Sequence, residues 1–187
     1  MRIPLRNTTN RYGLISQAFH WLIVVLLLVQ YRWGWQIFQA DSFRVRLELV
    51  PQHKTLGMLV LALVLLRLLW RFFNRPPALP SGMPLWERRL AKAGHGLLYG
   101  LILAVPLTGW LYSSAAGLGD VWWGPVNFPS LVPDSEVLEN WFGQFHQWLA
   151  LTLGLMALLH VLAALRHQFL LKDNLMKRML PPWFDRS

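Results

Sequence analysis

Cysteine is absent from the 187-residue chain, which excludes disulfides, zinc–thiolate sites, iron–sulfur clusters and thioether-attached haem. Charge is scarce, at 14% of residues, where a soluble domain carries roughly 25%. Acidic residues are scarcest, with Asp and Glu numbering 9 against 18 Lys and Arg. There is no internal repeat and no low-complexity tract. Apart from methionine, the only soft metal ligands are 6 histidines. Apolar residues make up 55% of the chain and include 11 Trp and 10 Phe. That is more ring surface than a small water-soluble core can hide, which argues against a soluble monomer. Length alone suggests one domain.

The net charge of +9 fits either nucleic acid or a membrane face, and its placement decides between them. Arg2, Arg6 and Arg11 precede the first apolar stretch. Arg67, Arg71, Arg75, Arg88, Arg89 and Lys92 surround the second connection, and Arg166, Lys172, Lys177, Arg178 and Arg186 follow the last stretch. The first connection carries Arg32, Arg44 and Arg46. The third, over residues 113–145, has no basic residue but contains Asp120, Asp134, Glu136 and Glu139. Positive charge therefore alternates with each crossing, as the positive-inside rule requires of an inner-membrane protein. A nucleic-acid partner would not segregate charge in this way.

Four apolar spans are predicted, at about residues 14–38, 53–73, 94–118 and 141–165, each near the roughly 20 residues that cross a bilayer. In the first, uncharged sequence runs to Tyr31, with Trp33 and Trp35 as interfacial anchors. Pro106 and Gly109 interrupt the third span, and such breakers are tolerated where neighbouring helices re-satisfy the backbone. The expected architecture is an all-α integral membrane four-helix bundle, one domain over residues 1–187, with both termini cytoplasmic. A polar start and His20 within the apolar region argue against a cleaved signal peptide. Residues 74–84 are expected to form an inner loop. The stretch holding Trp122, Trp123, Pro125 and Pro129 is expected to lie as an outer loop on the bilayer surface. Residues 171–179 suggest a short basic interfacial helix ended by Pro181 and Pro182.

Ionisable residues inside a membrane are costly and point to function. His146 and His160 are 14 positions apart on one predicted helix. That spacing returns the second to within about 40° of the first and places it about 21 Å along the axis. One helix face thus presents imidazoles near each membrane surface. Distance from the span boundaries pairs His20 with His160 at the inner level and His53 with His146 at the outer level. His95 lies slightly shallower and remains a rival inner ligand. Two imidazoles per level, without attachment cysteines, suit b-type haem. Zinc or copper would be under-coordinated. Gly57, Gly143, Gly94, Gly96 and Gly100 are expected to make room beside the histidines. Arg67, 14 positions from His53, either pairs a haem propionate, with Arg71 a turn further out, or is an ordinary interfacial arginine. His167 is either a solvated surface residue or a hydrogen-bond donor to a quinone carbonyl.

These residues resemble the bacterial cytochrome b561 family. The matching stretches are HWL at His20, HKTLGMLVLALVLLRLLWR from His53, AGHGLLYGLILAVPLTGW around His95 and FHQWLALTLGLMALLHVLAALRHQFLLKDN from Phe145. RNTTNRYGLIS near the N-terminus looks like the branch found beside periplasmic lipocalin-like isoprenoid-binding proteins. The resemblance implies a four-helix membrane bundle with two haem b groups and a ubiquinone site. It also implies His20 and His160 as inner ligands, His53 and His146 as outer ligands, and His167 near the quinone, as in the superoxide oxidase branch. The acidic, Trp-rich outer loop departs from a rim that attracts the superoxide anion, leaving Arg32, Arg44, Arg46 and Lys54 as the outer positive charges. The expected function is electron transfer between a periplasmic donor (superoxide or a redox protein) and ubiquinone. The alternatives are a superoxide oxidase, a membrane subunit anchoring a periplasmic oxidoreductase, and a haem-free helical scaffold whose histidines relay protons.

Overall fold

A computed structural model describes residues 4–80, 82–119, 122, 124 and 127–180. It contains four long helices: α1 (Leu14–Phe38), α2 (Phe43–Phe73), α3 (Leu85–Ala115) and α4 (Glu136–Arg166). No strand occurs among the described residues. All four helices are long and apolar enough to cross a membrane. α1 matches its expected span; α2, α3 and α4 begin earlier than expected because charged turns continue the same hydrogen-bond ladder, and α3 ends at Ala115, short of 118. Pro51 in α2 and Pro106 in α3 are accommodated without ending their helices. The start of α4 is capped by Ser135, whose Oγ accepts from the Leu138 N–H at 3.4 Å, and Glu136 and Glu139 in the first turn oppose the positive helix end.

Burial is inverted relative to a water-soluble bundle. Large apolar side chains face outward along every helix, including Leu28, Phe72, Trp148 and Leu155. The interior is small, with Ile23, Val60 and Val64 at its centre and Tyr99, Ile102 and Leu103 packed against them. Polar Gln17, Ser113 and Ser114 are also buried. Such an exterior is stable only in lipid, where small and polar contacts hold the helices together. The closest backbone packing joins α3 to α4 and α1 to α2, with α2 against α3. α1 meets α4 through side chains: the Tyr31 hydroxyl donates to the Ala150 carbonyl at 2.6 Å and lies over Gly154.

The two termini meet at one end of the bundle. The Tyr12 N–H donates to the Arg178 carbonyl at 3.2 Å, and Trp21 Nε1 to the Met179 carbonyl at 3.0 Å. Arg178 in turn reaches the Ala78 carbonyl in the α2–α3 connection, and Asn7 Nδ2 reaches the carbonyls of Asn74 and Arg75. At the opposite end, Trp110 Nε1 donates to the Pro129 carbonyl at 2.9 Å and Trp122 packs on Phe128, so this loop folds back over the helix ends. Lys54 bonds the Leu118 carbonyl and lies 4.3 Å from the Trp122 ring centre. Trp123, Pro125 and Asp120 of this loop, like Arg2, Pro181, Pro182 and Arg186, lie outside the described residues.

The tail is not the helix expected over residues 171–179. α4 instead widens into a π-helical turn at His167–Leu171, and only Met176–Met179 form a further short 3-10 turn. Lys172 and Asn174 adopt left-handed φ values of 54° and 60°. A left-handed residue cannot continue a right-handed helix, so the chain reverses there.

Candidate functional site

At the loop end, the rings of His53 on α2 and His146 on α4 lie with centroids 6.2 Å apart and planes at 89°. His146 Nδ1 is 2.9 Å from the Val105 carbonyl on α3. A carbonyl can only accept, so Nδ1 carries the proton and Nε2 presents its lone pair. Among the described residues His53 Nδ1 is buried without a hydrogen-bond partner, while its backbone carbonyl accepts from Gln30 Nε2 at 3.0 Å. The room for these rings comes from glycine. A Cβ on Gly109 would stand 2.9 Å from His146 Cε1, and one on Gly34 would stand 3.4 Å from His53 Cε1.

At the terminus end, His20 on α1 and His160 on α4 have centroids 6.4 Å apart and planes at 80°. His95 on α3 also approaches His160, at 5.3 Å. Its Nδ1, however, bonds the Ala91 carbonyl one turn back at 2.8 Å, and the residue is exposed. Arg67 Nη1 stands 3.3 Å from His20 Nδ1. Arg67 and Arg71 both lie over the Tyr99 ring, at 5.5 and 5.6 Å. Among the described residues neither guanidinium has a carboxylate partner. Just outside α1, burial pushes the Tyr12 hydroxyl up, and the nearby Arg71 charge opposes this.

A metal with nitrogen ligands at about 2.0–2.1 Å holds two trans imidazoles with ring centroids roughly 6.3 Å apart. Both the 6.2 Å and the 6.4 Å pairs meet that requirement. The 5.3 Å pair of His95 and His160 is too close for rings on opposite sides of one metal. Among the described residues, no three His, Cys, Asp or Glu side chains converge as a metal-binding group. Each level therefore brings together two imidazoles at a spacing that a haem would fit better than a bare zinc ion would. Two surface clefts lie elsewhere: one of about 760 Å³ beside Trp86 and Leu90 on α3, and one of about 360 Å³ beside Tyr112 and Glu139 at the loop end.

His167 sits in a cluster with two carboxylates. Its Nδ1 is 2.5 Å from Asp173 Oδ2 and its Nε2 is 3.9 Å from Glu87 Oε1, while Arg166 bonds that same Glu87 oxygen at 2.5 Å. It is thus a partly buried member of an ion cluster and not a solvated surface residue.

Several of these residues were not indicated by the sequence. Gly109 was legible only as a helix breaker and Gly34 not at all. Of the glycines expected beside the histidines, two face other side chains. A Cβ on Gly57 would meet Gln30 Nε2 at 3.0 Å, and one on Gly143 would meet the Tyr112 ring at 3.2 Å. A Cβ on Gly94, Gly96 or Gly100 would meet nothing within 4 Å. Glu87 carried a usable signal, being a lone acid in a strongly basic inner segment.

The family model for prokaryotic cytochrome b561 matches residues 11–182. Cytochrome b561 homolog 2 of Escherichia coli (strain K12) is 35% identical, with 93% of each chain covered. Cytochrome b562 of Cereibacter sphaeroides is 31% identical over 91% of this chain and 96% of its own length. A probable superoxide oxidase of Yersinia pestis is 28% identical over 92% of this chain and 97% of its own. The chain therefore belongs to the prokaryotic cytochrome b561 family, and is a multi-pass inner-membrane protein of electron transfer that uses haem b.

Proposed function

We propose that the chain, acting as a single membrane domain over residues 1–187, is a two-haem conduit between a periplasmic electron donor and the ubiquinone pool. The observation that carries this reading is the pair of imidazole couples, at 6.2 Å and 6.4 Å, separated along α4 by about 21 Å. Haem b supplies a reversible one-electron change at each level. His53 and His146 serve as outer ligands and His20 and His160 as inner ligands, with His95 beside the inner pair but outside its coordination. The Val105 carbonyl holds the His146 proton on Nδ1 and so keeps Nε2 as the ligand atom.

Arg67 follows from the same proton arithmetic. A guanidinium has only donors. Ligation through His20 Nε2 places the imidazole proton on Nδ1, so the 3.3 Å contact to Arg67 Nη1 becomes donor against donor. Arg67 would then turn to an acceptor, and with Arg71 it would be placed to hold a haem propionate. Both termini are cytoplasmic, since the basic end is the end where they meet. Fusing a fluorescent reporter to the C-terminus is expected to give a bright cell, and a C-terminal alkaline phosphatase an inactive one. An active phosphatase in the C-terminal fusion would reverse the topology.

The deciding experiment is a pyridine haemochrome assay on detergent-purified protein, with reduced-minus-oxidised spectra after addition of superoxide and then ubiquinone. Two b haems per chain are expected, and no haem would overturn the reading. A second reading is superoxide oxidase, favoured by the similarity to a relative of that name. Rapid reduction by superoxide with reoxidation by ubiquinone would select it. Two haems indifferent to superoxide leave a redox protein as donor. Lys54 already serves the Leu118 carbonyl and the Trp122 ring, and Arg46 Nε the Ala40 carbonyl at 3.1 Å. Both cations help to hold the loop end together while keeping their charge at this face.

A further inference from the structure

We propose that the outward side of α3 at the terminus end is a binding site for an anionic glycerophospholipid, in which Arg89 and Lys92 hold the phosphodiester and the cleft beside Trp86 and Leu90 takes an acyl chain. The inference goes beyond electron transfer and is independent of the haem and quinone readings.

The shape of the site follows from the helical repeat. At about 100° per residue, Leu85, Arg89, Ala93, Gly96 and Gly100 fall within an arc of about 80° on α3. Glu87, which meets Arg166 and His167 at the end of α4, lies about 160° from Arg89 around the same helix. The arc therefore faces away from α4, and its side chains are exposed. A cleft of about 760 Å³ opens there, lined by Leu85, Trp86, Arg89, Leu90 and Ala93. Its volume is that of a small-molecule site, roughly 300–1,000 Å³. A Cβ on Gly96 or Gly100 would meet nothing within 4 Å. The missing side chains continue the cleft as a trough for about 10 Å beyond Ala93, towards the bilayer centre. A flexible apolar tail fills such a trough, which a bulky side chain would close.

Charge selects the headgroup. Of the cations around the start of α3, Arg88 donates to the Pro80 carbonyl at 2.9 Å, and Arg166 pairs with Glu87 at 2.5 Å. Arg89 and Lys92 are exposed and, among the described residues, have no carboxylate partner. Three positions apart on one helix, their side chains are neighbours. Trp86, also exposed, stands one turn before Arg89, and a Trp at the end of a membrane helix marks the headgroup level. Arg89 starts about 4.5 Å deeper and snorkels back to that level, its stem forming one wall of the cleft. Its guanidinium offers paired donors to phosphate oxygens, and the Lys92 ammonium adds a point charge. A phosphodiester with net negative charge offsets both cations, whereas a zwitterionic headgroup brings a competing cation of its own.

Small residues on one helix face also let two helices approach, which would make a second copy of the chain the occupant. The charges favour a lipid. In a symmetric pair joined through α3 each surface meets itself, so Arg89 and Lys92 of one copy would crowd those of the other. Glu87, the one acid among residues 74–92, is already turned to α4 and offsets neither. A lipid phosphate neutralises the pair of cations that a second copy would double.

The test uses the haem-loaded full chain in detergent, stripped of co-purifying lipid. Dioleoyl phosphatidylglycerol is the probe and dioleoyl phosphatidylcholine its zwitterionic match. Binding is read by native mass spectrometry and by the rise in unfolding temperature that a ligand of the folded state produces. The wild-type protein is expected to bind phosphatidylglycerol about tenfold more tightly than phosphatidylcholine, the scale of two basic side chains meeting an anionic headgroup. Arg89→Gln combined with Lys92→Gln should remove that preference. Lys172→Gln, which takes an exposed cation from the same end of the bundle, should keep it. Gly96→Leu and Gly100→Leu should weaken both lipids alike, since they fill space that the fold leaves open. An unchanged haem content shows that each variant has folded. Equal binding of the two lipids by the wild type, or a preference that survives Arg89→Gln with Lys92→Gln, would overturn the proposal. So would a dimer that persists in saturating phosphatidylglycerol and falls apart in Gly100→Leu, which would give this surface to a second copy.

Discussion

Substituting His160 with alanine is expected to lower the haem content of the purified protein from two per chain to one, measured as pyridine haemochrome per protein. The remaining haem should keep the spectrum of the loop-end pair, His53 and His146, because the two levels sit about 21 Å apart on α4 and share no ligand. The inner level contains three imidazoles, and substituting each gives a different result. His20→Ala should lose the same haem as His160→Ala, since the 6.4 Å separation of those rings is what trans ligation requires. His95→Ala should keep both haems. Its ring lies 5.3 Å from that of His160 and is tied to the Ala91 carbonyl, which leaves it beside the coordination axis. A His95→Ala protein with one haem and a His20→Ala protein with two would exchange the roles of those residues. A His160→Ala protein that kept both would end the pairing altogether.

The contrast between His20 and His95 marks where sequence stops being informative. Helix number, the two histidine levels and the outer pair follow from one-dimensional quantities, namely distance from a charged boundary and a 14-residue spacing that returns to one face. His20 and His95 differ by only about one turn in depth. What separates them is the tilt and rotation of α1 and α3, which depend on how the helices pack. Glycine shows the same limit. Gly57 lies one turn from His53, yet its bare face meets Gln30, whereas Gly34, on another helix, faces that ring. Proximity along the chain is a good guide to depth and a poor guide to direction. The tail behaved likewise: the basic pattern of residues 171–179 suggests a helix, but the contacts of Asp173 with His167 and of Tyr12 with Arg178 favour a reversal. Tertiary contacts outweigh helix propensities, which differ among ordinary residues by only about 0–0.7 kcal/mol each.

Substituting Gly109 is expected to empty the loop-end level selectively. The Cβ of Gly109→Ala would stand 2.9 Å from His146 Cε1 and 3.1 Å from its Nδ1, the first closer than real Cβ contacts come and the second tight. The imidazole must rotate or withdraw, and either motion stretches its 2.9 Å bond to the Val105 carbonyl. Overpacking of this kind costs typically ~1–3 kcal/mol, and a lost orienting hydrogen bond weakens metal ligation roughly 10–100-fold. Gly109→Ala should therefore purify with the loop-end haem depleted and easily removed by a haem-binding competitor, and Gly109→Val with that level empty. The His20–His160 level should be unaffected in both. Gly34→Ala provides the graded comparison, because its Cβ meets His53 Cε1 at 3.4 Å, a contact relieved by a shift of a few tenths of an ångström. Gly100→Ala is the control for this level, since it lies about 14 Å along α3 from Gly109, towards the terminus end. The expected order of haem loss is Gly109→Val, Gly109→Ala, Gly34→Ala, Gly100→Ala. If Gly109→Val retained a full loop-end haem with an unshifted spectrum, His146 would not be its ligand. If Gly100→Ala lost that haem instead, the ring plane would lie against α3 on a different face from the one Gly109 opens. The order thus reads out the direction of the cofactor plane as well as its presence, which a histidine deletion alone does not.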